Sequence, residues 1–227
     1  FRRVLFRSPS YTIWTPARGK IGKYIGFDTE TEPIVDGDRV TVPRLVIATA
    51  TSKAGTFIIP AEHLRAFLLM HKKAIFILHN AAFDRKVIKQ HCGIDLRYWL
   101  ERGRLLDTFY LYQVLVLAEN GYVPKYPSME YLAEELAGIK LNKGEHIRLG
   151  FGQFIAPDGS VDISKIPPDF LQYAAEDAYA TFKISLVLLK RIQEVSQQHN
   201  VSPLKRLSHD IQAKASFALD EVTRRGM

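Results

Sequence analysis

The sequence predicts an α/β protein built on a mixed five-stranded sheet with flanking helices. Three observations carry this. At 227 residues and 47% hydrophobic, the chain can bury a full core. Three runs rich in β-branched and aromatic residues come first, near 23–29, 42–51 and 55–59. Helical and strand patterns then alternate, the order expected of a mixed sheet with helices packed on it.

Each element has a local cause. Tyr24-Ile25-Gly26-Phe27 opens the first strand, Val42 to Thr51 forms the second, and Gly55 to Ile59 the third, which Pro60 ends. A helix is expected over 61–72, and the apolar run Ala74 to Leu78 reads as a buried strand. Asn80 is a good N-cap for a helix over 81–92. Arg104-Leu105-Leu106 makes the fifth strand, and Asp107 is expected to cap a helix over Thr108 to Leu117. Glu119-Asn120-Gly121 and Pro124 to Pro127 mark a loop before the helix that Ser128 opens. After a Pro- and Gly-containing loop between 157 and 168, Pro167 or Pro168 starts a long helix. Leu204, Leu207, Ile211, Ala215, Ala218 and Val222 recur three and four apart, so 204–224 reads as one amphipathic helix.

The ends of the chain read differently from its middle. Phe1 is not a start-codon product, and Val4-Leu5-Phe6-Arg7-Ser8 is what the end of a sequencing adapter encodes. Residues 1–10 are therefore expected to be a non-native scar, 11–198 the functional domain, and 199–227 a helix leading elsewhere. The net charge of +7 drops to +4 once Arg2, Arg3 and Arg7 are set aside. A pI near 9.4 suits an anionic polymer.

Several classes are excluded or disfavoured. The single cysteine, Cys92, rules out an internal disulfide, and no Cys/His cluster has zinc spacing. Gly19, Gly22 and Gly26 match neither a dinucleotide fingerprint nor a P-loop. No apolar run approaches the roughly 20 residues needed to cross a bilayer. A cytoplasmic setting, in a bacterial or phage-infected cell, is the expectation.

Three short motifs carry the chemistry. In FDTET, Ile25 and Phe27 point to one face of a strand, so Asp28 and Glu30 project together from the other, at the strand end. In HNAAFD, Asp84 sits in the first or second turn of its helix. In YAAED, Tyr173 and Asp177 are four apart on a helix and stack one turn apart. Each motif alone has an ordinary reading as solvated charge, cap or core tyrosine. Together they place four carboxylates and a phenol where a phosphodiester could be hydrolysed. Two divalent ions about 3.5–4 Å apart can activate water and stabilise both the phosphate and the leaving oxygen. Such hard ions prefer carboxylate oxygens.

These motifs resemble those of the DEDD superfamily of 3′–5′ exonucleases, in the ribonuclease H-like fold. Tyr173, four before the final aspartate, is similar to the tyrosine branch, whereas the histidine branch has His at the position of Gln172. FDTET, YAAEDAYATFKI and SMEYLAEELAGIKLNKG resemble the proofreading domain of family A DNA polymerases, over about Lys23 to Lys190. The resemblance implies two divalent cations, Mg²⁺ or Mn²⁺. Asp28, Glu30 and Asp177 hold one, Asp28 shares the other with Asp84, and Tyr173 orients the attacking water. It also implies Thr31, Asn80 and Phe83 near the 3′-terminal nucleotide.

The function expected is release of 5′-mononucleotides from single-stranded or frayed DNA 3′ ends, as part of a truncated polymerase. LDEVTRRGM resembles the helix that leads into the polymerase domain in that family, so a missing polymerase is an expected partner. A free-standing RNA 3′-processing exonuclease is the rival within the same chemistry. An inactive nucleic-acid scaffold is the rival outside it, and retention of all four acids argues against it. Lys140, Lys143 and Arg148 are candidate phosphate contacts, and Tyr122 or Tyr126 could stack on a base.

Overall fold

Six strands form one mixed sheet in the computed structural model, which describes residues 8–34, 41–141, 144–201 and 204–224. They are β1 (Tyr11–Ile13), β2 (Tyr24–Thr31), β3 (Leu45–Ser52), β4 (Gly55–Pro60), β5 (Ile75–Leu78) and β6 (Leu105–Asp107). Their spatial order is β1-β4-β3-β2-β5-β6. Strand β3 runs antiparallel to its neighbours β2 and β4, while β5 runs parallel to β2, β6 parallel to β5 and β1 parallel to β4. The expected mixed α/β sheet is present with one strand more than the five expected. That sixth strand, β1, is three residues long and gains its order by pairing with Thr56 to Ile58.

The helices are α1 (Leu64–Met70), α2 (Ala81–Cys92), α3 (Arg97–Leu100), α4 (Thr108–Asn120), α5 (Met129–Ala137), α6 (Glu145–Gly150), α7 (Pro168–Gln198), α8 (Leu204–Leu207) and α9 (Lys214–Arg224). Pro168 sits in the first turn of α7, where its missing N–H costs nothing. The sheet separates two layers. On one face Ile25, Phe27 and Phe76 pack with Phe67, Val87 and Trp99. The other face is covered by α7, with Val46, Ile47 and Ile58 against Phe170 and Ala174.

Four expectations change. Strand β2 continues to Thr31, two residues past the end expected near 29, so Asp28 and Glu30 both lie within it, paired to Thr49 and Ile47 of β3, rather than at its end. The helix expected over 61–72 begins as a 3₁₀ turn at Ala61–His63 and is α-helical only over Leu64–Met70. Asn80 does not cap α2 with its side chain: it holds a left-handed backbone, φ 64°, and Asp107 supplies the acceptor instead.

The fourth change concerns the C-terminal helix, which is interrupted by a π-helical turn over Ser208–Ala213. Each π turn adds a residue, which rotates the faces that follow. Leu207, Ile211, Ala215, Ala218 and Val222, before, within and after that turn, are all exposed, while Ala213 and Phe217 are buried. The side chain of Leu204, and residues Arg2, Arg3, Arg7, Lys143 and Met227, lie outside the described residues.

Candidate active site

Strand alternation and one glycine build the centre of the site. Because Ile25 and Phe27 enter the core on one side of β2, Gly26, Asp28 and Glu30 face α7. A Cβ on Gly26 would stand 2.7 Å from both the Ala178 carbonyl oxygen and the Phe182 Cβ. Only glycine lets the helix approach this closely. That approach sets Tyr173 and Asp177, both buried on α7, against the two strand carboxylates. One carboxylate oxygen from each of Asp28, Glu30 and Asp177 lies within 4.8 Å of the others. Parallel pairing of β2 with β5 ends at Gly26, so Asp28 sits just past the last β5 partner.

Three ionised carboxylates at this separation repel one another, and a divalent cation removes that penalty. The donors are all oxygen, which suits a hard ion such as Mg²⁺ or Mn²⁺ rather than a nitrogen- or sulfur-seeking metal. Asp28 is half-buried and its two partners are buried, so the cluster can reach solvent through Asp28.

Tyr173 belongs to the same patch. Its phenol is raised well above the ordinary value, first by burial and then by the charges of Asp177, Glu30 and Asp28, with Arg148 on α6 opposing. The hydroxyl therefore keeps its proton at neutral pH and can orient a water without acting as a base. Phe151 braces the ring, with centroids 6.2 Å apart.

Asp84 comes from α2. It is 2% exposed, and the Thr29 hydroxyl donates to its Oδ1 at 2.7 Å. Thr29 stands between Asp28 and Glu30 on β2, so its hydrogen bond brings Asp84 next to that pair, outside the group of oxygens that Asp28, Glu30 and Asp177 form within 4.8 Å. Burial pushes the Asp84 carboxyl up to about 7, the Thr29 hydrogen bond pulls it back, and the charge of Asp107 adds to the rise.

Asp107 is the residue whose reach the sequence understated. Its carboxylate caps α4 by accepting from the Phe109 N–H at 3.0 Å, as expected, and also takes the Asn80 and Ala81 N–H groups at 3.0 and 2.8 Å. One acid thus ties the starts of α2 and α4 together. Thr29 was the other residue missed; its signal was its place between two acids on the opposite face of the strand.

The expected nucleotide contacts separate around α2. Asn80 lines a cleft of about 880 Å³ with His79, Phe109, Lys125 and Tyr126. Phe83 lines another of about 330 Å³ with Ile34, Pro43 and Lys86. Thr31 ends β2 after a register shift and donates to the Glu32 carbonyl at 2.8 Å. His79, next to Asn80, places its Nδ1 2.9 Å from the Thr108 hydroxyl. Of the exposed aromatics, Tyr126 sits in the cleft with Asn80 and is 88% exposed. Lys140 pairs with Glu134 at 3.5 Å on the surface. Among the described residues no helix is long and apolar enough to cross a membrane.

A family model described as 3′-5′ exonuclease matches residues 16–193. The chain belongs to that DEDD-type exonuclease family. Its fold is similar to that of Trypanosoma brucei RNase D in complex with RNA U12, at 18% identity and a TM-score of 0.53, covering 74% of this chain and 55% of that one. Escherichia coli RNase D, described as an exoribonuclease involved in structured RNA processing, matches at 17% identity and a TM-score of 0.53, covering 82% and 45%. Brucella melitensis NrnC matches at 15% identity and a TM-score of 0.56, covering 90% and 86%. The chain spans about half the length of the two RNase D chains. A search of curated proteins finds no match.

Proposed function

We propose that the chain is a divalent-cation-dependent exonuclease that removes 5′-mononucleotides from the 3′ ends of single-stranded RNA. The observation that carries this is the meeting of Asp28, Glu30 and Asp177 oxygens within 4.8 Å, beside a protonated Tyr173. RNA is preferred as substrate because two similar folds are named for work on RNA. DNA ends are the second reading, supported by the likeness of FDTET and YAAED to proofreading domains. Under it, residues 11–198 form the nuclease domain and 199–227 lead toward a polymerase domain.

In either case Asp28, Glu30 and Asp177 would hold one cation, and Asp28 would share a second with Asp84. Bound there, Mg²⁺ or Mn²⁺ supplies Lewis acidity and lowers the pKa of water. The Tyr173 hydroxyl orients the attacking water toward the terminal phosphorus. The oxygen of that water would form the new P–O bond as the P–O3′ bond breaks, the water would lose a proton to solvent, and the released 3′ oxygen would take one from solvent. Thr31, Asn80 and Phe83 would hold the terminal nucleotide.

Matched RNA and DNA oligonucleotides, labelled at the 5′ end and incubated with Mg²⁺ or Mn²⁺, provide the test. Shortening from the 3′ end that EDTA stops is expected, with RNA at least as fast as DNA. A DNA rate exceeding the RNA rate tenfold moves the assignment to proofreading. If neither strand shortens with either metal, the chain is a binding scaffold and the enzymatic reading fails.

A further inference from the structure

Arg85 follows Asp84 directly and is almost fully buried, with 3% of its side chain exposed. Its guanidinium is gripped from two directions. Nε and Nη2 donate to the two Asp95 oxygens, just before α3, at 2.7 and 2.9 Å. Nη2 also donates to Glu221 on α9 at 2.8 Å, and Nη1 to the Phe217 carbonyl at 3.2 Å. The plane lies over the Phe217 ring, 4.9 Å from its centroid. Beside it, Lys86 pairs with Asp220 at 2.6 Å, and Arg97 with Glu221 at 2.9 Å.

Helix α2 is seated in the core by Ala81, Val87 and Ile88. The Asn80 and Ala81 N–H groups rest on Asp107, and the Asp84 carboxylate rests on Thr29. The buried ion pair of Arg85, the residue next to Asp84, adds a directional anchor to that apolar seating. A guanidinium in a fixed fork geometry fixes its backbone more tightly than a flexible ammonium does.

We infer that Glu221 of the C-terminal helix is a positioning residue for the nuclease site, acting through Arg85 to hold Asp84 at its station beside β2. This inference rests on the reading of Asp84 as a carboxylate of the cation site. On this account α9 is a working part of the nuclease rather than a tether beyond it. The polar face of α9 carries Asp220 and Glu221 inward, so the helix docks by charge as well as through Ala213 and Phe217.

The full chain carrying Glu221→Ala is compared with the unaltered protein by Mn²⁺ titration in a calorimeter and by amide hydrogen exchange. Glu221 is partly exposed, with 31% of its side chain accessible, so the variant keeps its fold. Expected are Mn²⁺ binding weakened roughly fivefold and faster exchange across α2, in the range of coupling seen for residues in one ion-pair network. Glu221→Gln, which keeps the shape and loses the charge, falls between. Glu119→Ala, which removes the Arg191 pair at 2.6 Å on the α4–α7 side, changes neither readout. Unchanged Mn²⁺ affinity and unchanged α2 exchange in Glu221→Ala overturn the inference alone. Absence of Mn²⁺ binding by the unaltered protein overturns the cation reading beneath it as well.

Discussion

Asp28 on β2 and Asp177 on α7 present carboxylate oxygens within 4.8 Å of each other, although their motifs stand at opposite ends of the domain. Like charges held this close are stabilised by a shared cation and penalised without one. Replacing Asp28 by Ala should lower the cleavage rate by about 10² to 10³-fold, the equivalent of several kcal/mol of Lewis-acid stabilisation. In EDTA the same variant should melt no lower than the parent, because a repulsion has been removed. Thermal unfolding with and without Mn²⁺ checks this; a variant that still cleaves at the parental rate contradicts the assignment.

Tyr173→Phe removes one hydroxyl and keeps the ring that packs on Phe151. Cleavage should slow by roughly 10² while Mn²⁺ affinity is retained, since an orienting hydrogen bond is lost and no ligand oxygen is. Burial and the neighbouring carboxylates hold the phenol far above neutrality. The pH profile of the variant should therefore match the parent between pH 6 and about 9. A lost basic limb would show that Tyr173 titrates during turnover.

The Asp84 carboxyl, raised to about 7 by burial, binds its proton more tightly in the folded protein than in the unfolded chain. Its neutral form is the favoured one, so its contribution to stability in EDTA is fully present below about pH 4 and is lost as pH rises to about 7. Asp107, raised to about 6 by burial against its backbone hydrogen bonds, contributes with the same sign. Asp84→Asn keeps an acceptor for Thr29 and cannot ionise. It should raise metal-free stability at pH 8 by about 1 kcal/mol or more and change little at pH 4.5. Urea unfolding at the two pH values measures it; equal stability of both proteins at pH 8 contradicts the burial argument.

Gly26→Ala tests how the sheet sets the site. The added Cβ would meet the Ala178 carbonyl and Phe182 at 2.7 Å, so α7 must move away from β2. Overpacking of this kind costs about 1–3 kcal/mol. Activity should fall further than stability, because the same shift carries Asp177 and Tyr173 away from Asp28 and Glu30. A stable variant with full activity would show that the close approach is dispensable.

Much of the site was legible because its determinants are local. Alternation along β2 puts Asp28 and Glu30 on one face whatever the strand packs against, and four-residue spacing puts Tyr173 and Asp177 one turn apart on any helix. Pro168 marks the start of α7 by its chemistry alone. Asp107 was readable as a cap for α4, but its hold on Asn80 and Ala81 needs two loops to meet. The strand β1 is too short to announce itself and depends on β4 for its hydrogen bonds. The exposed C-terminal stripe shows the limit of periodicity: spacing puts Leu207, Ile211, Ala215, Ala218 and Val222 on one face, but which face docks is set by Ala213 and Phe217 meeting the body of the protein.

The order of residues by itself determined which acids and which phenol are available, and which of them must share a face, because backbone periods of two and 3.6 act within a few residues. Only tertiary structure decided that three acids meet against α7 while Asp84 comes to rest on Thr29 between two of them. It also decided that α9 grips Arg85. Those outcomes depend on where whole helices dock, and docking is set by packing, by the absent side chain at Gly26 and by buried ion pairs between segments far apart in the chain.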